Sequence, residues 1–156
     1  MLGCDMICNL YMLPRTYTLP DGIRIKRVFA GDMPEVLGFV RDTFNEGWVS
    51  EAQKAIFASK CFVATKKGDV VGFACFDSTA LGYFGPIGVD QSVRGMGVGR
   101  ALLLETLYTM RAVGYGHAII GWVGDAKPFY EKTVGAVMIP GADPDHTVYS
   151  HRVAAE

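Results

Sequence analysis

The chain has 156 residues, of which 50% are apolar and 20% charged, with a formal net charge of −1. That balance excludes a disordered tail and suits one globular unit able to bury about 70% of its unfolded surface without staples. Lys and Arg are scattered rather than clustered, which argues against nucleic acid or an anionic membrane surface as partner.

Residues 1–20 are moderately apolar, but Asp5 and Asn9 interrupt the run and no basic segment precedes it. They read as an irregular N-terminal extension rather than a signal peptide or a membrane span, and residues 21–156 as a single domain. The four cysteines, Cys4, Cys8, Cys61 and Cys75, form no C-x-x-C pair and have no histidine at zinc spacing. Reduced thiols, no metal and a cytoplasmic location are the expectation.

Residues 23–28 alternate apolar and basic side chains, as a half-buried strand does. Asp32 then stands at the N-cap of a helix, with Pro34 in its first turn and Met33, Val36, Leu37, Val40 and Phe44 at helical spacing. A second helix is predicted over residues 50–59, where Ser50 and Gln53 have capping-box spacing. Strands over 61–65 and 70–76 flank a Gly-Asp turn.

Residues 81–89 read as a further strand, which Gly82, Gly85, Pro86 and Gly88 are expected to bulge or splay. A long helix over 98–113 stops at Gly114, and 117–123 is a buried strand. Asp125 is placed to cap a short helix containing Pro128, and residues 136–139 and 147–153 read as a closing strand pair. The order mixes hairpins with crossovers, which predicts an α+β fold: a mixed, mostly antiparallel sheet flanked by helices.

The most informative segment is Arg94-Gly95-Met96-Gly97-Val98-Gly99-Arg100, a glycine-rich loop between a strand and a helix. A helix N-terminus presents unpaired N–H groups with partial positive charge, and glycines let an anion approach them. Arg94 and Arg100 can add charge-assisted bonds. The dinucleotide fingerprint fails, because Arg100 stands where its last glycine belongs, and the Gly-Lys-Ser/Thr of a nucleoside-triphosphate loop is missing.

Arg94-x-x-Gly97-x-Gly99 resembles the Q/R-x-x-G-x-G/A signature of the GNAT superfamily of acetyl-CoA-dependent N-acetyltransferases. Ala126-Lys127-Pro128-Phe129-Tyr130 through Gly135-Ala136 is similar to that family's A-x-x-F/L-Y-x-x-x-G-F/A segment, with one extra residue before the glycine. The resemblance implies the family's fold with its splayed fourth strand. It implies that backbone from Arg94, Gly95, Met96, Gly97, Val98, Gly99 and Arg100 holds the pyrophosphate of coenzyme A. Ile87, Gly88 and Val89 then contact the pantetheine arm, and Val89 offers an oxyanion donor.

It further implies that Tyr130 is the general acid for the departing thiolate, and that acetyl-CoA serves as co-substrate. The acceptor is then a small-molecule or peptide primary amine that attacks directly in a ternary complex. Family members often dimerise. The chain departs from the pattern in two ways: no glutamate lies between Leu81 and Val89, and Gly121-Trp122-Val123-Gly124-Asp125 lacks the usual asparagine. Asp77, Glu46 and His146 are candidates for a base, each read first as a solvated surface group. On the acceptor side stand Phe44, Glu46, Trp48 and residues 143–146. A non-catalytic acyl-CoA-binding module of the same fold is the alternative.

Overall fold

Strand residues alternate between faces, and residues 61–76 use that period to separate two cores. In the computed structural model, which describes residues 3–153, Phe62, Ala64, Ala74 and Phe76 point to one face, while Cys61, Val63, Phe73 and Cys75 point to the other. They belong to β3 (Cys61–Lys66) and β4 (Asp69–Phe76), paired around the predicted turn. The remaining strands are β1 (Cys4–Asn9), β2 (Ile23–Arg27), β5 (Tyr83–Val89), β6 (His117–Val123) and β7 (Val137–Met138). Their order in the sheet is β2-β3-β4-β5-β6-β1-β7. Every neighbouring pair is antiparallel except β5–β6.

Helices α1 (Met33–Thr43) and α2 (Glu46–Phe57) cover the face carrying Val63 and Phe73. Helices α3 (Val98–Val113) and α4 (Lys127–Val134) cover the opposite face, through Leu102, Leu103, Leu107, Tyr130 and Val134. Gly114 ends α3 in the left-handed region at φ 116°, as its position in the sequence implied.

Three local expectations need correction. Helix α2 begins at Glu46 rather than near Ser50, because the Asn45 side chain caps it and accepts the Trp48 N–H at 2.9 Å. Asp32 precedes α1, yet its carboxylate turns back to the Phe29 N–H (3.1 Å) and to Lys26 (3.1 Å) instead of capping the helix. Helix α4 is preceded at its cap position by Ala126, one residue after Asp125.

The larger correction concerns the two ends of the chain. Residues 1–20 are not uniformly irregular: Cys4–Asn9 forms β1, inserted between β6 and β7. Met6, Cys8 and Leu10 alternate into the α3 face with no exposed surface. Residues 147–153 do not form a strand. Val148–His151 is a 3₁₀ turn, closed by the Thr147 hydroxyl accepting the Tyr149 N–H at 3.1 Å. The position beside β6 that a closing hairpin would use is filled by β1, leaving β7 two residues long.

Just after β4, buried Asp77 accepts from Lys60 (2.8 Å), the Gly82 N–H (2.7 Å) and the Tyr115 hydroxyl (2.7 Å). Burial alone would raise its carboxyl pKa, but Lys60, Gly82 and Tyr115 outweigh it and hold the group below the usual value. A lowered carboxyl stabilises the fold above its unfolded pKa, and that contribution disappears as pH falls through the folded value. Asp77→Ala therefore costs about 2–4 kcal/mol at pH 7. The gap between variant and parent begins to narrow in urea titrations run below about pH 4 and keeps narrowing as the pH is lowered further. A gap independent of pH would show that packing, not charge, makes the difference.

Candidate active site

The site starts where two strands part. β5 and β6 are paired only at Tyr83–Ile119 and Phe84–Ile120. From Gly85 onward β5 keeps β4 on one edge, with Ala74–Ile87, Phe73–Gly88 and Gly72–Val89 in register, while its other edge has no strand partner. Pro86 brings no N–H to a ladder, so the pairing gives out where the sequence predicted a splay. The gap opens into a cavity of ≈ 1160 Å³.

Its walls come from both faces of the sheet. Trp48 and Glu51 of α2 contribute from one side, Gly99 of α3 and Phe129 and Tyr130 of α4 from the other, and Ile87, Gly88 and Val89 lie between. The cavity therefore passes through the sheet. One ligand of ordinary size occupies a pocket of about 300–1,000 Å³, and this cavity is larger than that.

The glycine loop closes the α3 side. Asp90 accepts from the Ser92 N–H (3.0 Å) and fixes a 3₁₀ turn over Gln91–Val93. Gly95 and Gly97 then take φ of 79° and 84°, which only glycine adopts without strain. The N–H groups of Gly95, Gly97, Val98, Gly99 and Arg100 have no backbone acceptor among the described residues. These unpaired donors at the start of a 16-residue helix are what an anion requires. Arg94 is exposed, and its Nε donates to the Val89 carbonyl at 3.3 Å, tying the loop to the end of β5.

Tyr130 lies deep, with 6% of its surface exposed, packed edge-on against Phe84 and Phe129. Every fully buried polar side-chain atom among the described residues has a hydrogen-bond partner. The Tyr130 hydroxyl has none and lines the cavity, so it opens onto that space. Burial pushes its pKa well above that of an ordinary phenol, and nearby Tyr149 adds to the effect. The hydroxyl keeps its proton at neutral pH.

None of the three base candidates reaches the cavity. Asp77 is held by Lys60 and Tyr115, Glu46 pairs with Arg41 at 2.6 Å, and His146 pairs with Asp143 at 2.7 Å on the surface. Of the two carboxylates that do line it, Asp145 is exposed, while half-buried Glu51 accepts a short hydrogen bond from the Thr79 hydroxyl. Nothing in the spacing of Glu51 in the sequence linked it to Thr79. Of the acceptor-side residues expected, Trp48, Pro144 and Asp145 line the cavity, while Phe44 packs against Gly88.

The region that lacks the expected asparagine has its own device. Trp122 adopts φ 53°, a left-handed conformation that costs a non-glycine residue about 1–2 kcal/mol. Its N–H donates to Asp5 of β1 at 3.0 Å, and the other Asp5 oxygen accepts from Tyr83 at 3.4 Å. The indole is thereby turned against Tyr149, with ring centroids 5.7 Å apart, at the cavity wall. Among the described residues no cluster of His, Cys, Asp or Glu can hold a metal ion, and no helix is long and apolar enough to cross a membrane.

The site is thus a mixed sheet splayed beside a glycine-rich loop with free N–H groups, and Tyr130 lines the gap between the parted strands. The model of the acetyltransferase (GNAT) family matches residues 30–136, and the chain belongs to that family. A GCN5-related N-acetyltransferase from Sphaerobacter thermophilus is 22% identical with TM-score 0.68, over 89% of this chain and 50% of its own. A GNAT family N-acetyltransferase from Escherichia coli, solved with CoA, is 23% identical with TM-score 0.51, over 64% of this chain and 63% of its own. A GNAT family acetyltransferase from Brucella melitensis, solved with acetyl-CoA, is 20% identical with TM-score 0.52, over 69% of this chain and 80% of its own. The chain spans between 20% and 50% of the length of three solved chains that it matches over 88% or 89% of its own residues. No curated protein sequence matches it.

Proposed function

We propose that the protein is an N-acetyltransferase that moves the acetyl group of acetyl-CoA directly to a primary amine within a ternary complex. The observation that carries this reading is the cavity through the sheet, with free loop N–H groups on the α3 side and the unpartnered Tyr130 hydroxyl opening into it. The free N–H groups of Gly95, Gly97, Val98, Gly99 and Arg100 receive the diphosphate, with the Arg94 and Arg100 side chains adding charge. The unpaired edge of β5 at Ile87, Gly88 and Val89 aligns the pantetheine amides as an added strand would. A Val89 N–H facing the thioester oxygen polarises the carbonyl.

The amine nitrogen forms a bond to the acetyl carbon, and the carbon–sulfur bond breaks. Tyr130 gives its proton to the thiolate and regains one from the newly bonded nitrogen, so the tyrosine ends as it began. The chain binds and orients both reactants, and the apolar walls of the cleft keep water from the thioester.

Thermal-shift titrations with acetyl-CoA, free coenzyme A and NAD test the reading. Saturation at about 100 times Kd stabilises by about 2.7 kcal/mol, which for a domain of this size raises Tm by roughly 5–10 °C. Both coenzyme A species are expected to give that shift and NAD none. Thiol release with an amine then separates an enzyme from a module that binds acyl-CoA without turnover.

A further inference from the structure

The α2 side of the cavity has a chemistry of its own. Glu51 projects from α2 with one carboxylate oxygen engaged by the Thr79 hydroxyl, and the Ser78 hydroxyl donates to the Glu51 carbonyl, fixing the residue at both ends. Its second oxygen has no hydrogen-bond partner among the described residues, and since fully buried polar atoms there are all satisfied, that oxygen faces open space. Three aromatic side chains, Trp48, Trp122 and Tyr149, line the same cavity.

Asp5, the neighbouring buried carboxylate, is excluded as a second anchor, because Trp122 and Tyr83 occupy its two oxygens. A second and independent observation is the strained backbone at Trp122, which the Asp5 bond maintains. Strain of this kind persists where surrounding structure enforces it and gathers at ligand sites. Here its effect is to present an indole, 47% exposed, at the wall of the cavity that Glu51 also lines.

Resting on the function proposed above, we infer that this half of the cavity is the acceptor site, built for a primary monoamine on an aromatic or apolar body, whose ammonium Glu51 receives. A single free carboxylate oxygen balances one positive charge. A polyamine needs several such groups, and the other charged side chains at the cavity, Asp145 and Arg152, are exposed and opposite in sign. Aromatic faces add cation–π attraction to the ammonium and a matching surface for an apolar body.

The probe is 2-phenylethylamine, with 2-phenylethanol, spermidine and a lysine-containing peptide as contrasts. Binding is measured calorimetrically with and without coenzyme A, and turnover by thiol release. The wild-type protein is expected to bind and acetylate 2-phenylethylamine and to ignore the alcohol. Glu51→Gln keeps an acceptor for the Thr79 hydroxyl and so retains the local fold. It weakens the amine by about 10- to 100-fold while its thermal shift with acetyl-CoA stays unchanged. Equal amine affinity in Glu51→Gln, or preference for spermidine or the peptide, overturns the acceptor assignment. So does binding of coenzyme A with no amine bound. Failure of coenzyme A itself to bind sinks the proposed function instead, and the amine titration without it still reads the Glu51 site.

Discussion

Gly99→Val removes acetyl-CoA binding by at least about 100-fold, while the protein unfolds at nearly its parent temperature. Gly99 sits in the first turn of α3, lines the cavity, and has a φ outside the left-handed region. A Cβ there meets the Val89 side chain at 3.6 Å, an ordinary contact. Valine is also a slightly better helix former than glycine. The branched side chain nonetheless stands over N–H groups that a diphosphate must touch, and a filled cradle cannot be approached. Gly97 is a poorer place for the test, since φ 84° makes any β-branched residue strained and mixes folding with binding. Isothermal titration with acetyl-CoA beside a melting curve decides the matter. Unchanged affinity in Gly99→Val would remove the phosphate from this loop.

Tyr130→Phe lowers kcat by about 100-fold and changes the KM for acetyl-CoA little. The substitution deletes one oxygen that bonds to no protein group, so packing against Phe84 and Phe129 survives. What disappears is the proton for the thiolate. Because burial raises the Tyr130 pKa, the acid form persists through and beyond the ordinary tyrosine range near about pH 10. The parent enzyme accordingly shows no loss of kcat from phenol ionisation between pH 7 and about pH 9. Steady-state kinetics over that range check both statements, and parent-like turnover in the variant would strike Tyr130 from the mechanism.

Elements governed by local periodicity were legible in the sequence. The alternation of residues 61–76, the helical spacing of 98–113 and the glycines of 94–100 each encode geometry over a few residues, and each recurs in the structure. The splay of β5 was readable because proline and glycine disable a ladder locally. β1 was hidden because Asp5 and Asn9 interrupt its apolar run, and the partners of Asp5, Trp122 and Tyr83, are remote in the chain. Glu51 was hidden for the same reason, since Thr79 and Tyr149 reach it only through tertiary structure. The closing strand at 147–153 had suitable residues, but a strand also needs a vacant edge, which a one-dimensional pattern cannot reveal.

The insertion of β1 beside β6 also has a kinetic meaning. Cys4 pairs with Val123 and Met6 with Ile120, so this strand finds its partner only across most of the chain. Closing such a loop is entropically costly before any contact rewards it, and long-range pairings of this kind slow folding. The β2–β3–β4–β5 meander and its helices draw on nearer partners and can assemble first. β6 forms one lip of the cleft, and Asp5 holds Trp122 in its strained pose, so the cavity takes its final shape only when β1 docks. A protein built this way completes its cleft last, as β1 takes its place between β6 and β7.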